Sequence, residues 1–353
     1  MQTLSSCDSH FPFYKLFFAE KALRGVFCAK NLPFLFFLSA EPVFLHHESA
    51  TALTNMKKNN PFRGAGTALV TPFLSDGSID FKALSALVKS QIEGKTDFLC
   101  VLGTTAETPC LSQDEQQAVM NCVREVNQGR LPLLLGLGGN CTANVCERIQ
   151  HTDLTGFDGI LVVAPYYNKP SQEGLYQHYR TVCETSPLPV VIYNVPGRTG
   201  VNIEAATTLR IATDCPNAVA VKEASGNVAQ IEKIILGAPE GFEVLCGDDG
   251  LAFTLCTLGA KGVISVVSNA YPVAFADLTH AAIAGETEKA REIHRQLHDC
   301  YPLLFCDGNP AGMKSLLHVL GRAENVLRLP LVPVSAATYA GLEKYVATHP
   351  ELH

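Results

Sequence analysis

The sequence has no Cys-x-x-Cys pair, no His-Glu-x-x-His and no zinc-like spacing of cysteine with histidine, although 13 cysteines and 11 histidines are spread over its 353 residues. A bound metal is therefore not suggested. The cysteines are odd in number and scattered, and Cys100, Cys246 and Cys256 lie inside apolar runs. Such residues read as small core side chains in a reducing, cytoplasmic compartment. A basic stripe is also missing: 27 Lys and Arg stand against 34 Asp and Glu, a net charge of −7. That balance lacks the electrostatic footprint of a nucleic-acid binder. The apolar run Leu32–Ala40 is too short to span a bilayer, so no membrane partner is expected. What remains, 47% hydrophobic and 17% charged residues, is a globular composition with material for a large core.

Residues 1–55 differ from the rest. They hold phenylalanine clusters at 11–13, 17–18 and 34–37 without a sustained period. Lys30 and Leu38-Ser39-Ala40 give a signal-peptide outline, but the flank is too long and contains Glu20, and transit peptides are poor in acidic residues. The expectation is an N-terminal extension that does not conform to the fold, disordered or not native, with Met56 as the true start.

From Gly64 onward, short β-branched runs alternate with amphipathic stretches. The runs are Thr67–Pro72, Phe98–Leu102, Leu133–Leu137, Ile160–Ala164, Val190–Tyr193, Val219–Lys222, Val244–Cys246 and Val263–Val267. Helical patterns between them include Phe81–Glu93, Ser112–Asn127, Ala143–His151, Gly174–Thr185 and Ile203–Ala212. Ser112 with Glu115 three residues on has the form of a capping box. Eight strands alternating with helices predict an α/β chain, a (β/α)8 barrel over 61–284, with a doubly wound open sheet as the alternative. Four more helices, Pro272–Ala284, Thr287–Phe305, Gly312–Leu320 and Ser335–Tyr345, with a proline-rich joint at Leu329–Pro333, exceed what one barrel position needs. They predict a C-terminal helical domain over 285–353.

Chemistry in such a barrel sits at the C-terminal ends of the strands. Lys222 closes the sixth run. Burial disfavours an ammonium, and a free amine attacks carbonyls to form Schiff bases; taken singly, a strand-end lysine reaching solvent fits the segment as well. After the second run, Gly103-Thr104-Thr105 offers a tight turn with two hydroxyls that can grip a carboxylate, or an ordinary turn. Tyr166 and Tyr167 follow the fourth run and suit packing, an oligomer interface or proton relay. The fifth ends in Tyr193, followed by Arg198 after a Pro-Gly turn; a guanidinium fork fits a carboxylate. Gly247 follows the seventh and permits close backbone approach, and Asp248 and Asp249 suit a helix cap better than catalysis. The eighth, around Ile264, reads as barrel core. Lysine, tyrosine, hydroxyl turn and arginine together describe a site for a keto acid.

These residues, in this order, resemble the dihydrodipicolinate synthase family, within the pyruvate-dependent class I aldolases. The matching segments are GTTAE at 103–107 (with Ala106 where the family commonly has glycine), PYYNKPSQEGLYQH at 165–178, YNVPGRTG at 193–200, VKEASGN at 221–227, GDD at 247–249 and GVISV at 262–266. The resemblance implies a homotetramer, a dimer of dimers, that condenses pyruvate with L-aspartate 4-semialdehyde in lysine and diaminopimelate biosynthesis, without metal or organic cofactor. It implies that Lys222 forms the Schiff base and Tyr193 moves protons beside it. Thr104 would link Tyr193 to Tyr167 of a neighbouring subunit. Thr105 would hold the pyruvate carboxylate, Arg198 that of the semialdehyde, and Gly247 and Ile264 would line the pocket through their backbone. Where lysine-inhibited members place histidines and a glutamate around the effector, this chain has Gln113, Gln116 and Asn144, while Asn140 and Tyr166 are kept; weak or absent lysine feedback is expected. Two other functions share part of this pattern. One is a lyase of the same superfamily acting on N-acetylneuraminate or a keto-deoxy sugar acid, which would not need Arg198. The other is a catalytically silent sensor of small acids.

Overall fold

The computed structural model describes residues 60–352; the extension expected over 1–55 lies outside the described residues. The strands are β1 (Gly64–Ala68), β2 (Phe98–Val101), β3 (Leu133–Gly136), β4 (Gly159–Val163), β5 (Val190–Asn194), β6 (Ala218–Glu223), β7 (Glu243–Cys246) and β8 (Gly262–Ser265). Every neighbouring pair is parallel, and β8 pairs back onto β1, closing the barrel in chain order. Connections between parallel strands must cross over, and here helices do so: α1 (Phe81–Glu93), α2 (Gln113–Asn127), α3 (Thr142–His151), α4 (Gln172–Thr185), the single turn α5 (Pro196–Thr199), α6 (Ala205–Asp214), α7 (Val228–Gly237), α8 (Ala252–Leu258) and α9 (Pro272–Ile283). The fold is the expected (β/α)8 barrel rather than an open sheet.

Strand alternation divides the side chains between two cores. In β2, Phe98 and Cys100 face the barrel interior while Leu99 and Val101 face the helices; in β5, Val191 and Tyr193 point in while Val190 and Ile192 point out. At the N-terminal end of the strands, Phe62 and Phe98 meet edge to face at 5.5 Å. Glycine is required beside them: a Cβ on Gly66 would lie 2.2 Å from the Phe98 ring, and one on Gly159 2.5 Å from Phe62. These glycines explain a shifted boundary. The β-branched pattern placed the first strand at Thr67–Pro72, whereas β1 begins at Gly64, because side-chain propensity does not register a strand that opens on Gly-Ala-Gly.

Helix α2 opens with the expected capping box: Ser112 accepts from the Glu115 amide, and Glu115 accepts from the Ser112 amide. After α9 come α10 (Thr287–His298), α11 (Cys300–Phe305), α12 (Ala311–Val319) and α13 (Ala336–Thr348). The stretch expected as one helix over Thr287–Phe305 is thus two, broken at Asp299. Arg328, in the segment between α12 and α13, ties this region to the barrel loops. Its guanidinium donates to both Glu115 oxygens, at 2.8 and 2.6 Å, and to the carbonyls of Gly77 and Cys110. Burial pushes the Cys100 thiol up to about 11 and the Cys256 thiol up to about 12, as suits inert core residues. Among the described residues, no helix is long and apolar enough to cross a membrane.

Candidate active site

Strands β5 and β6 set the centre of the site. Their register pairs Tyr193 with Lys222 and Asn194 with Glu223. Alternation then sends Tyr193 and Lys222 inward and Asn194 and Glu223 toward the helices. The outward pair is locked: Asn194 Nδ2 donates to Glu223 Oε1 and Oε2 at 3.0 and 3.1 Å, and Glu223 also accepts from the Ser225 amide and from Gln230. A one-residue slip would break this buried network and turn the lysine out of the barrel. On the inner face, Lys222 Nζ stands 4.4 Å from the centroid of the Tyr193 ring, and both residues are 6% exposed. Gly247 makes room for the lysine: a Cβ there would fall 3.1 Å from Lys222 Cε and 2.8 Å from Ala224 Cβ.

Lys222 enters a cavity of about 520 Å³ lined also by Thr104, Thr105, Tyr193, Arg198 and Gly247. A second cavity of about 420 Å³ shares Thr104, Tyr193 and Arg198 and extends to Gln116, Arg148 and Tyr166. The hydroxyl turn after β2 is a 3-10 turn, Thr104–Ala106, with Thr105 buried and Thr104 exposed. Ala106 is not in the left-handed region; the following residue is, with Glu107 at φ 54°, so alanine in place of glycine costs this backbone little. Arg198 rides on α5, which starts at Pro196 and stops at Gly200, φ 74°. The arginine is exposed, and its Nη2 donates to the Asn309 carbonyl at 3.4 Å.

The remaining expected residues lie differently. Ile264 is 1% exposed and belongs to the interior barrel cluster with Tyr193. Tyr167 lines neither of these cavities; it is 87% exposed with φ 73°, beside the 44% exposed Tyr166. Asp248 caps as expected, accepting from the Gly250 amide, but Asp249 turns to the end of β8 and accepts from the Val266 and Val267 amides. Burial pushes the Asp249 carboxyl up to about 6 against those donors.

The model of the dihydrodipicolinate synthetase family matches residues 61–349. The chain belongs to this family. The 4-hydroxy-tetrahydrodipicolinate synthase of Phocaeicola vulgatus is 53% identical over 277 residues, covering 78% of this chain and 93% of the relative. Among solved structures, the dihydrodipicolinate synthase of Thermotoga maritima superposes with a TM-score of 0.80 at 41% identity, covering 82% of this chain and 99% of that one. The chloride-inhibited dihydrodipicolinate synthase of Acinetobacter baumannii, complexed with pyruvate, gives a TM-score of 0.78 at 38% identity, covering 81% and 98%.

Two features of this family member were not found by reading strand ends. Asn309, in the loop before α12, lines the lysine cavity and donates to Thr105 Oγ1 at 3.0 Å. Lys314, on α12, pairs with Glu107 at 2.5 Å. Asn309 and Lys314 both follow the last barrel strand in sequence. The only signal was Asn309-Pro310 at the head of a helical pattern, which marks a turn and no chemistry.

Proposed function

We propose that this chain condenses pyruvate with L-aspartate 4-semialdehyde to give 4-hydroxy-tetrahydrodipicolinate, in lysine and diaminopimelate biosynthesis. The observation that supports it most is the Lys222 amine held inside the barrel mouth against Tyr193, in a cavity that Thr105 and Arg198 also line. Family membership, and the pyruvate complex of the Acinetobacter baumannii relative, support pyruvate as the first substrate.

In this reading the Lys222 nitrogen attacks the pyruvate keto carbon, and the carbinolamine loses water to leave an iminium. The iminium nitrogen draws electrons, so a methyl proton leaves and an enamine forms. The enamine carbon bonds to the aldehyde carbon, which restores the iminium, and the new alkoxide takes a proton. The semialdehyde's own amine then attacks the iminium carbon, closing the ring and expelling the Lys222 amine. Tyr193 is the proton carrier, with Thr104 relaying from Tyr167 of a neighbouring copy. Thr105 holds the pyruvate carboxylate and Arg198 that of the semialdehyde, so the two reacting carbons are brought into register. Gly247 and Ile264 shape the floor through their backbone. The electron sink is the imine itself, and the steps as written need neither metal nor organic cofactor.

A homotetramer built as a dimer of dimers is part of the same proposal. Two neighbouring tyrosine rings exposed on one loop suit burial against a second copy.

Borohydride reduction in the presence of pyruvate tests the chemistry. The expected product is a carboxyethylated Lys222, seen by peptide mass spectrometry, and a separate assay without borohydride is expected to show pyruvate-dependent consumption of aspartate semialdehyde. No adduct at saturating pyruvate would instead indicate the silent sensor. An adduct accompanied by cleavage of N-acetylneuraminate, with semialdehyde untouched, would indicate the sugar-acid lyase.

A further inference from the structure

Asn309 has no part in the roles assigned above, yet it touches two residues that do. Its side chain reaches Thr105 and its backbone oxygen meets Arg198. The residue is 8% exposed, and its Oδ1 is buried without a hydrogen-bond partner. The carboxamide is therefore oriented by what its nitrogen does, and the nitrogen donates to Thr105 Oγ1.

A threonine hydroxyl owns one proton and two acceptor sites. An amide N–H directed at the oxygen fills one acceptor site and cannot receive the proton. Thr105 is 3% exposed, and among the described residues its Oγ1 gives that proton to no protein acceptor. An ionised carboxylate only accepts. The hydroxyl is useful to it only with the proton pointing its way.

We propose that Asn309 is a positioning residue that sets the polarity of Thr105. By occupying the hydroxyl oxygen as a donor, it commits the single Thr105 proton to the carboxylate of the keto acid at Lys222. The inference rests on the reading of Thr105 as the holder of that carboxylate. The C-terminal region thereby enters the binding of the first substrate through a side chain, and meets Arg198 only through a carbonyl that any residue at 309 would supply.

That difference gives the test. Steady-state kinetics are measured on the full chain, varying pyruvate and semialdehyde separately, for Asn309→Leu, Thr105→Val and the double variant. Asn309→Leu is expected to raise the KM for pyruvate about tenfold and to leave the KM for semialdehyde within about twofold, since the backbone oxygen at 309 is retained. In the Thr105→Val background the same substitution is expected to add less than about twofold. An unchanged pyruvate KM in Asn309→Leu, equal rises in both KM values, or full additivity in the double variant would overturn the proposal. Thr105→Val with an unchanged pyruvate KM would overturn the reading of Thr105 itself, and the proposal with it. Should Asn309→Leu not fold, Asn309→Ser, whose hydroxyl is too short to reach Thr105, must show the same split between the two KM values; a parental pyruvate KM there overturns the proposal equally.

Discussion

Lys314 Nζ lies 2.5 Å from Glu107 Oε1, and the two side chains are 1% and 0% exposed. The lysine also donates to the Val326 carbonyl at 3.0 Å and stands 3.8 Å over the Phe73 ring, while the second glutamate oxygen accepts from the Arg328 amide. Glu107 ends the Thr104–Ala106 turn, so this pair fastens the hydroxyl turn to α12. Removing one member of a buried pair strands the other charge in a low-dielectric surrounding. Lys314→Met is expected to destabilise the fold by about 3–5 kcal/mol. Lys314→Met combined with Glu107→Gln should recover part of that loss, because the stranded charge is gone. Urea unfolding midpoints check both statements; a single-variant loss under about 1 kcal/mol would contradict them.

Tyr193→Phe separates imine formation from proton transfer. The ring against Lys222 is preserved and only the hydroxyl is lost. A fall in kcat of about 10²–10⁴ is expected, with the borohydride adduct at Lys222 still forming at saturating pyruvate. A kcat within threefold of the parent, a factor of about 0.6 kcal/mol, would remove Tyr193 from the proton path.

The Arg328–Glu115 contact makes an acid-sensitive latch. The guanidinium's hydrogen bonds, followed by the Ser112 amide, hold the Glu115 carboxyl down to about 2, below its ordinary 4.5. The folded chain therefore binds fewer protons than the unfolded one between those values. The stability contributed by this group is full above about pH 4.5 and is lost as the pH falls through about 2. Thermal midpoints of the parent and of Glu115→Gln should differ at pH 6 and converge toward pH 2. A gap that stays constant over that range would show that this carboxyl is not the latch.

Free lysine is expected to inhibit weakly or not at all. Gln113, Gln116 and Asn144 are neutral, so no carboxylate from these positions meets the effector's α-amine, and Gln116 is engaged with the Leu111 carbonyl at 3.0 Å. Initial rates with lysine titrated from micromolar to tens of millimolar concentrations decide the matter. Half-inhibition in the low micromolar range, an affinity of about −8 kcal/mol, would refute the expectation.

Much of the site could be read from the sequence because barrel chemistry follows a simple geometric rule. The polar residue that ends an apolar run stands at the barrel mouth, and Tyr193 and Lys222 obey it on adjacent strands. What escaped depends on contacts between distant parts of the chain. Asn309 meets Thr105 across 204 positions, and nothing local in an Asn-Pro turn foretells a hydrogen bond to a remote hydroxyl. The outward network of Asn194, Glu223 and Gln230 was invisible for another reason: a glutamate following a strand-end lysine looks like a solvent-facing residue until the helices are laid over it. The first strand was misplaced because its glycines contribute space, and hydrophobic pattern records only what is present.

The edge-to-face rings of Phe62 and Phe98 plug one end of the barrel and turn it into a flask with one neck. Reactants and product must then share a single doorway. Under the imine proposed at Lys222, the keto acid goes in first and the aldehyde follows it.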